Sequence, residues 1–562
     1  MSLLDTGIAI AFSLIVFVLG VSFARSGSNV KSFFAAGGAV PWWISGLSLF
    51  MSFFSVGTFV VWGAIAYNTG LVAVIIQATM SIAGFVVGFF IAPRWNRTKA
   101  LTAAQFIAER LGIKTQKFYT LVFLLISIFG SGAFLYPVGK MLEVTAGIPL
   151  SVSISLLGML IIIYTAVGGL WAVLVTDVLQ FVVLTAAVLI VVPLAFIEVG
   201  GVSQFINVAP ANFFALTNAE YDGFFLAAFG FYNMVFIGGS WAYVQRYTSV
   251  KNAGEARKVG ILFGALYLIA PLIWMLPPMI YRVINPDLDA AGAEGAYMLV
   301  SQLVVPDGLM GLILVAMVFA TASSVNTTLN IAAGVFTNDV YKAVKANVSD
   351  REAMRVARLA TVIFGCICIW VALSVADMGG IVEVVFSLAA ITGVALFLPP
   401  VWAMFSKVQT GKSVVTVTIL SLTVNGVFKF VTPVIWDFSL SRSPEMMVGV
   451  LVPILLLSLF EISGRMRVGE SQQYQQYMAQ WSTKHPRQSQ REVADSASAN
   501  VFARKVIGIG ILAVAILLLA LGLQASQGSW IIILMAVITG AASLLVFPGK
   551  LSRSALSKVL SV

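Results

Sequence analysis

A chain of 562 residues that is 60% hydrophobic and only 10% charged, with a mean hydropathy of +0.99, reads as a polytopic membrane protein, because no soluble domain needs that balance. The net charge of +10 would suit nucleic acid only if it gathered on one face, and it is instead spread over many connections between apolar runs. Cys366 and Cys368 sit two apart in one run and His485 is the single histidine, which excludes a disulfide framework and imidazole metal chemistry.

Apolar runs predict about fifteen membrane-spanning helices, beginning near residues 6, 43, 71, 118, 150, 174, 223, 258, 309, 357, 381, 413, 447, 504 and 529. The first, Thr6 to Ala24, follows Asp5 without a basic leader or a small-residue cleavage site, so it reads as a retained span and not a signal peptide. With the connections assigned alternately to two sides, one side collects 29 of the 33 Lys and Arg. The other is acidic, with Glu198, Glu220, Asp222, Asp287, Asp289, Asp307, Asp377, Asp437 and Glu445. The positive-inside rule then places the N-terminus outside and the C-terminus inside, and the basic excess needs no acidic partner.

The second span, Trp43 to Tyr67, carries Ser45, Gly46, Ser48, Ser52, Ser55, Gly57 and Thr58; the seventh, Phe224 to Tyr247, carries Asn233 and Gly238-Gly239-Ser240. Both are interrupted by glycine and hydroxyl residues at about the same depth. Such paired interruptions point to broken helices around a transporter binding site, since freed carbonyls at mid-membrane must line a cavity or coordinate something. Close packing through small residues is the competing reading. Gln77 is a polar intrusion in the third span. Asp177 enters the sixth span near its inner end, where a carboxylate costs about 2.5–3.5 kcal/mol and therefore has a partner, such as Thr176 or Gln180, or a purpose.

The ninth span holds Ala320-Thr321-Ala322-Ser323-Ser324-Val325-Asn326-Thr327-Thr328-Leu329-Asn330. At about 100° per residue, Ser323, Asn326, Thr327 and Asn330 share a face, with Ser324 and Thr328 beside it. That face is either glue between helices or a lining of neutral oxygens for a desolvated cation. Residues 467–500 are Gln-rich and charged, an inner-face linker with no nameable motif, and the two spans beyond it read as a lipid-facing hairpin. No Walker loop, HExxH or nucleophile elbow is present, so the chain does not read as an enzyme, and uphill transport would need an ion gradient.

The stretch Tyr164-Thr165-Ala166-Val167-Gly168-Gly169-Leu170-Trp171-Ala172-Val173-Leu174-Val175-Thr176-Asp177-Val178-Leu179-Gln180 resembles a signature of the sodium/solute symporter family. So do Leu101-Thr102-Ala103-Ala104-Gln105-Phe106 with Arg110, Gln245-Arg246, and Ser323-Ser324 leading to Phe336-Thr337-Asn338-Asp339-Val340-Tyr341. The resemblance covers roughly residues 5–466. It implies an all-α membrane fold similar to LeuT, with two inverted five-helix repeats made of spans 2–6 and 7–11. The chain would then divide into a peripheral first span (1–30), a ten-helix transport core (39–412), two peripheral spans (413–466), a cytoplasmic linker (467–503) and a two-span hairpin with a tail (504–562).

The resemblance also implies sodium as the coupling ion, held by the carbonyls of Met51, Phe54 and Ala320 and the hydroxyls of Ser323 and Ser324. Asp177, Ser323, Asn326 and Thr327 stand where relatives hold a second sodium or its release path, with Asn326 departing from the hydroxyl pattern. The substrate positions would be Ser52, Phe53, Thr58, Gln77, Asn233 and Phe236. Sugar-transporting relatives place a gating Tyr at 236, a Glu at 77 and a Lys at 295, where this chain has Phe236, Gln77 and Gly295. A sugar needs many buried partners, so a small organic anion or zwitterion suits this set better. The expectation is a multi-pass symporter of the plasma membrane, in bacteria the inner membrane, with a small solute and the lipid bilayer as its partners. Two rivals stay open: the same fold driven by protons carried on Asp177, and a transport-fold solute sensor.

Overall fold

The computed structural model describes residues 2–22, 40–100, 102–164, 170–341, 345, 348–467, 469–483, 490–525 and 527–547. Gly168-Gly169 of the signature and His485 lie outside them, as do the side chains of Ser323, Asn326, Thr327 and Asn330. Among the described residues the chain is helical, with no strand. In chain order come α1 (Leu3–Ser22), α2 (Trp42–Met51), α3 (Gly63–Thr69) after a π-helical turn at Thr58–Trp62, and α4 (Leu71–Thr98). Next are α5 (Ala103–Leu111), α6 (Ile113–Ala146), α7 (Leu150–Tyr164), α8 (Leu170–Glu198), α9 (Gly223–Gly239), α10 (Trp241–Thr248) and α11 (Ala253–Ile284). Further along are α12 (Leu309–Val335), α13 (Asp350–Ser374), α14 (Ile381–Ala403), α15 (Gly411–Trp436), α16 (Arg442–Arg467), α17 (Gln472–Thr483), α18 (Gln490–Gln524) and α19 (Ser529–Val546), and short helices lie in the connections at Val202–Val208, Ala290–Ala293 and Ala296–Val304.

Ten of the described helices are long and apolar enough to cross a membrane, and the bent pair α9–α10 makes an eleventh candidate. Four further apolar helices have shorter qualifying stretches, at Leu3–Val16, Trp42–Met51, Leu150–Met159 and Leu309–Ala322. Among the long helices with π-helical segments, α4 has one at Val87–Ile91 and α15 one at Val427–Val431. Each runs directly into a proline, Pro93 and Pro433. A proline ring clashes with the carbonyl one turn back, and the extra residue of a π turn makes room for it.

Helices α4 and α11 cross through glycine on both sides. A Cβ on Gly260 would lie 2.4 Å from the Gly88 Cα, and one on Gly84 would lie 2.8 Å from the Gly264 nitrogen. Gly84 and Gly88, like Gly260 and Gly264, are four apart, the spacing that lets two membrane helices bring their backbones together. Gly260→Val is therefore expected to push the helices apart and to cost about 1–3 kcal/mol or more. A clear fall in detergent melting temperature checks this; an unchanged melt would mean that the crossing can slide.

The periphery docks onto this core. Asp5 of α1, 4% exposed, accepts hydrogen bonds from the Gly308 nitrogen (2.8 Å) and the Gly311 nitrogen (3.0 Å), capping the start of α12. The hairpin α18–α19 has two faces of equal hydrophobicity. Ile507, Ile511, Val514 and Leu518 are buried, Ile507 and Ile511 in one cluster with Leu174 and Val178 of α8, while Ile509, Ile516 and Leu523 stay exposed. The linker segment holds a helix, α17, whose Gln473 accepts from the Gly411 nitrogen (2.8 Å). Its Tyr474 ring lies 5.1 Å from the Arg110 guanidinium.

Candidate functional site

A cavity of about 190 Å³ lies where both interrupted spans break. Helix α2 ends at Met51, and residues 52–55 run irregularly before helix resumes. The break is tied locally: Thr58 Oγ1 accepts from the Ser55 nitrogen (3.2 Å) and donates to the Phe53 carbonyl (2.6 Å), and Ser52 Oγ donates to the Ser48 carbonyl (2.9 Å). It is also tied to α12, since the Val56 nitrogen donates to Thr321 Oγ1 (3.3 Å). The Phe54 ring stacks on Trp274 at 3.6 Å and 6°, which pins the turn from behind. Among the described residues no donor reaches the Met51 or Phe54 carbonyl.

The seventh span breaks at Ser240, whose φ of −62° and ψ of 132° are extended, and α9 and α10 meet there at 58°. Here the freed carbonyls are capped. Trp95 Nε1 donates to the Gly238 carbonyl (2.7 Å) and Tyr247 Oη to the Ile237 carbonyl (3.0 Å). Gly239 also abuts Phe397 and Val401, so it serves close packing as well as the break. Two breaks at one depth thus behave differently: one leaves carbonyl oxygens unengaged, the other satisfies them.

Ser324, Thr321 and Thr328 of α12 line the cavity beside the first break. Among the described residues Ser324 Oγ makes only a long contact, 3.4 Å, to the Ala320 carbonyl. Five of the expected substrate positions line the same space: Ser52, Phe53, Thr58, Asn233 and Phe236. Asn233 spends one amide hydrogen on Thr79 Oγ1 (3.1 Å). Gln77 is not brought to the lining. It is buried in α4, and neither of its amide atoms finds a partner among the described residues.

Asp177 is buried in the cavity wall, and two other spans supply partners to it. Ser48 Oγ donates to Asp177 Oδ2 at 2.5 Å, and a guanidinium nitrogen of Arg246 lies 4.0 Å from the same oxygen. Arg246 Nε donates to Ser48 Oγ (3.3 Å) and Nη1 to the Ala242 carbonyl (2.9 Å). Spans 2, 6 and 7 are thereby joined by a buried charged cluster. The sequence reading assigned Arg246 no role in the cavity, and nothing marked it except its place in a Gln-Arg pair. It also missed Trp62, Tyr232, Tyr243 and Tyr267, all of which line the cavity. The row Phe229, Tyr232, Asn233, Phe236 at helical spacing was the available signal.

Residues 33–416 match the Sodium:solute symporter family. The chain belongs to that family. It is 27% identical to the sodium/glucose cotransporter of Vibrio parahaemolyticus, over 70% of this chain and 78% of that protein. It is 30% identical to the sodium/sialic acid symporter SiaT of Proteus mirabilis, over 64% of this chain and 76% of the relative. Its fold is that of a Na+-coupled sialic acid symporter solved in a substrate-bound outward-open state, with a TM-score of 0.69 at 23% identity, covering 84% of this chain and 99% of the other. The chain is therefore a sodium-coupled symporter of a small solute, as the signature resemblance implied, and its family and relatives are membrane transporters rather than enzymes.

Its polar lining suits the ion. Sodium is a hard monovalent cation, and neutral hydroxyl and carbonyl oxygens are able to bind such an ion without holding it too tightly to leave. Among the described residues there is no cluster of His, Cys, Asp or Glu able to hold a metal ion.

Proposed function

We propose that the cavity between the two breaks is the site of coupled transport, taking a small organic anion or zwitterion together with sodium and releasing both by alternating access. The observation that carries this is the convergence at one cavity of the second-span break, through Ser52, Phe53, Ser55 and Thr58, with the α12 hydroxyls and the α9 lining; the unengaged carbonyls of Met51 and Phe54 belong to the same break, although those two residues are not in the lining. Sodium would be held by the carbonyls of Met51, Phe54 and Ala320 and the hydroxyls of Ser323 and Ser324. Asp177, with Ser323, Asn326 and Thr327, would form a second ion position or the inward release path. Arg246 gives Asp177 a cationic partner within the protein.

The solute would meet Ser52, Phe53, Thr58, Asn233 and Phe236, with Gln77 behind them. The charged groups of the lining are Asp177 and Arg246, and they face each other. A negative group on the solute would thus be met by sodium, by amide and hydroxyl donors, or by Arg246. One relative carries sialic acid, an organic anion, and another glucose. A thermal-shift screen of purified protein against anions, zwitterions and sugars, with and without sodium, tests the proposal. It fails if sugars alone stabilise the protein in a sodium-dependent way.

The same reading places about fifteen spans in the bilayer, N-terminus outside and C-terminus inside. It takes 39–412 as the LeuT-like core of two inverted repeats, with 1–30, 413–466, 467–503 and 504–562 as the peripheral span, the two extra spans, the inner linker and the hairpin. The bacterial inner membrane is the compartment that fits the two bacterial relatives.

Asn233→Ala is expected to weaken solute binding about tenfold, the cost of roughly one buried hydrogen bond. Sodium binding measured without solute should stay nearly unchanged. Isothermal titration of each ligand separately checks this. Equal loss for both would make Asn233 a support of the helix break.

A further inference from the structure

One ring in the cavity wall is positioned by a missing side chain on the opposite helix. Tyr232 of α9 stacks between Phe229 (centroids 5.5 Å apart, planes at 28°) and Phe236 (5.4 Å, 16°). Its far edge lies against Gly393 of α14. A Cβ at position 393 would come 2.1 Å from Tyr232 Cε2 and 2.4 Å from Cδ2, closer than any carbon contact allows. The φ of Gly393 is −58°, an ordinary helical value, so the position requires the absence of a Cβ and not an unusual backbone. Glycine within a helix is less favourable than alanine, and here the local cost coincides with a slot that fits an aromatic edge.

The slot cannot retreat. Gly393 ends a π-helical segment, Ala389–Gly393, whose Ala389 lines the same cavity. Asn425 of α15 holds that segment from behind, donating from Nδ2 to the carbonyls of Ala390 (3.2 Å) and Ile391 (3.0 Å). Gly449 of α16 packs so closely that a Cβ there would lie 2.2 Å from the Ala390 oxygen. Phe229 and Phe236 block movement of the Tyr232 ring along α9. The open direction left to the ring is into the cavity.

We propose that Gly393 is a specificity-determining residue for the transported solute: by accepting the edge of Tyr232 it sets the width of the cavity, and with it the bulk of solute that can be occluded. This rests on the reading of the cavity as the solute site. The test uses full-length protein carrying Cys366→Ser and Cys368→Ser, with Ser131→Cys as a reporter in the lining. The reporter is labelled by a small methanethiosulfonate, the aminoethyl reagent, and by a bulky one, the benzyl reagent, and the ratio of the two rates is taken.

Gly393→Ala is expected to lower the bulky-to-small ratio about tenfold, the size of discrimination that a methyl-scale change in a pocket gives. Tyr232→Ala alone is expected to raise the ratio, and adding it to Gly393→Ala is expected to restore the loss. An unchanged ratio in Gly393→Ala, or no rise with Tyr232→Ala, overturns the inference; the second measurement decides even if the alanine at 393 prevents folding. A reporter that the small reagent cannot reach in the parent protein overturns the solute-site reading itself.

Discussion

Arg246→Ala is expected to lose about 3–5 kcal/mol of stability, enough to leave little folded protein, because it removes the cationic partner of a buried carboxylate. Arg246 is 4% exposed and Asp177 is 5% exposed, in a protein whose surroundings are other helices and lipid. The pair is joined less by direct contact, at 4.0 Å, than through Ser48, which donates to one and accepts from the other. Removing the guanidinium takes away the cation that faces the Asp177 charge, and the desolvation cost of that charge is then less fully offset. The double variant Asp177→Asn with Arg246→Met removes both charges and should recover most of the stability, while disturbing any ion path through this region. Melting temperature and monodispersity in detergent are the measurements. If the double variant is no more stable than Arg246→Ala, packing of the arginine stem and not the unpaired charge explains the loss.

Much of the architecture was legible because apolar length and glycine interruption are read directly from a sequence. Each of the fifteen predicted runs coincides with a helix among the described residues, and the expected breaks fall at residues 52–55 and at Ser240. The hairpin was harder. Its two faces are equally apolar, and since lipid and protein interior select the same side chains, no pattern could say that Ile507 is buried against α8 while Ile509 is exposed. The glycine crossing of α4 and α11 was present as two pairs spaced by four, yet it passed unread among 48 glycines. Of the five expected residues that line the cavity, Ser52, Thr58 and Asn233 are legible as hydroxyl and amide residues at the breaks, whereas Phe53 and Phe236 follow only from the family resemblance. Gln77 was placed by analogy and lies away from the lining. For Asp177 the sequence suggests either a local partner or a purpose, and the fold adds an arginine from 69 residues further along the chain, a pairing that only the fold can make.

Replacing Ser324 by alanine is expected to weaken sodium binding roughly ten- to a hundredfold, the loss of one hydrogen-bond-like contact to a charged group at about 1.5–3 kcal/mol. The folded protein should survive. Among the described residues Ser324 Oγ makes no short hydrogen bond, its one contact there being 3.4 Å to the Ala320 carbonyl, so its removal leaves little unsatisfied. Ser323→Ala should act likewise if both adjacent hydroxyls serve the ion, although its side chain lies outside the described residues. Thr321 makes the instructive contrast, because its Oγ1 is already engaged by the Val56 nitrogen and fastens the second-span break to α12. Thr321→Val should therefore lower stability with or without sodium, whereas Ser324→Ala should change mainly the sodium concentration needed. Bound ligand stabilises by RT ln(1 + [L]/Kd), so a sodium titration of melting temperature separates the two effects as a vertical offset against a shift along the concentration axis. If Ser324→Ala instead leaves the titration unshifted while lowering every melting temperature alike, the α12 hydroxyls are packing contacts, and sodium is bound elsewhere in the fold.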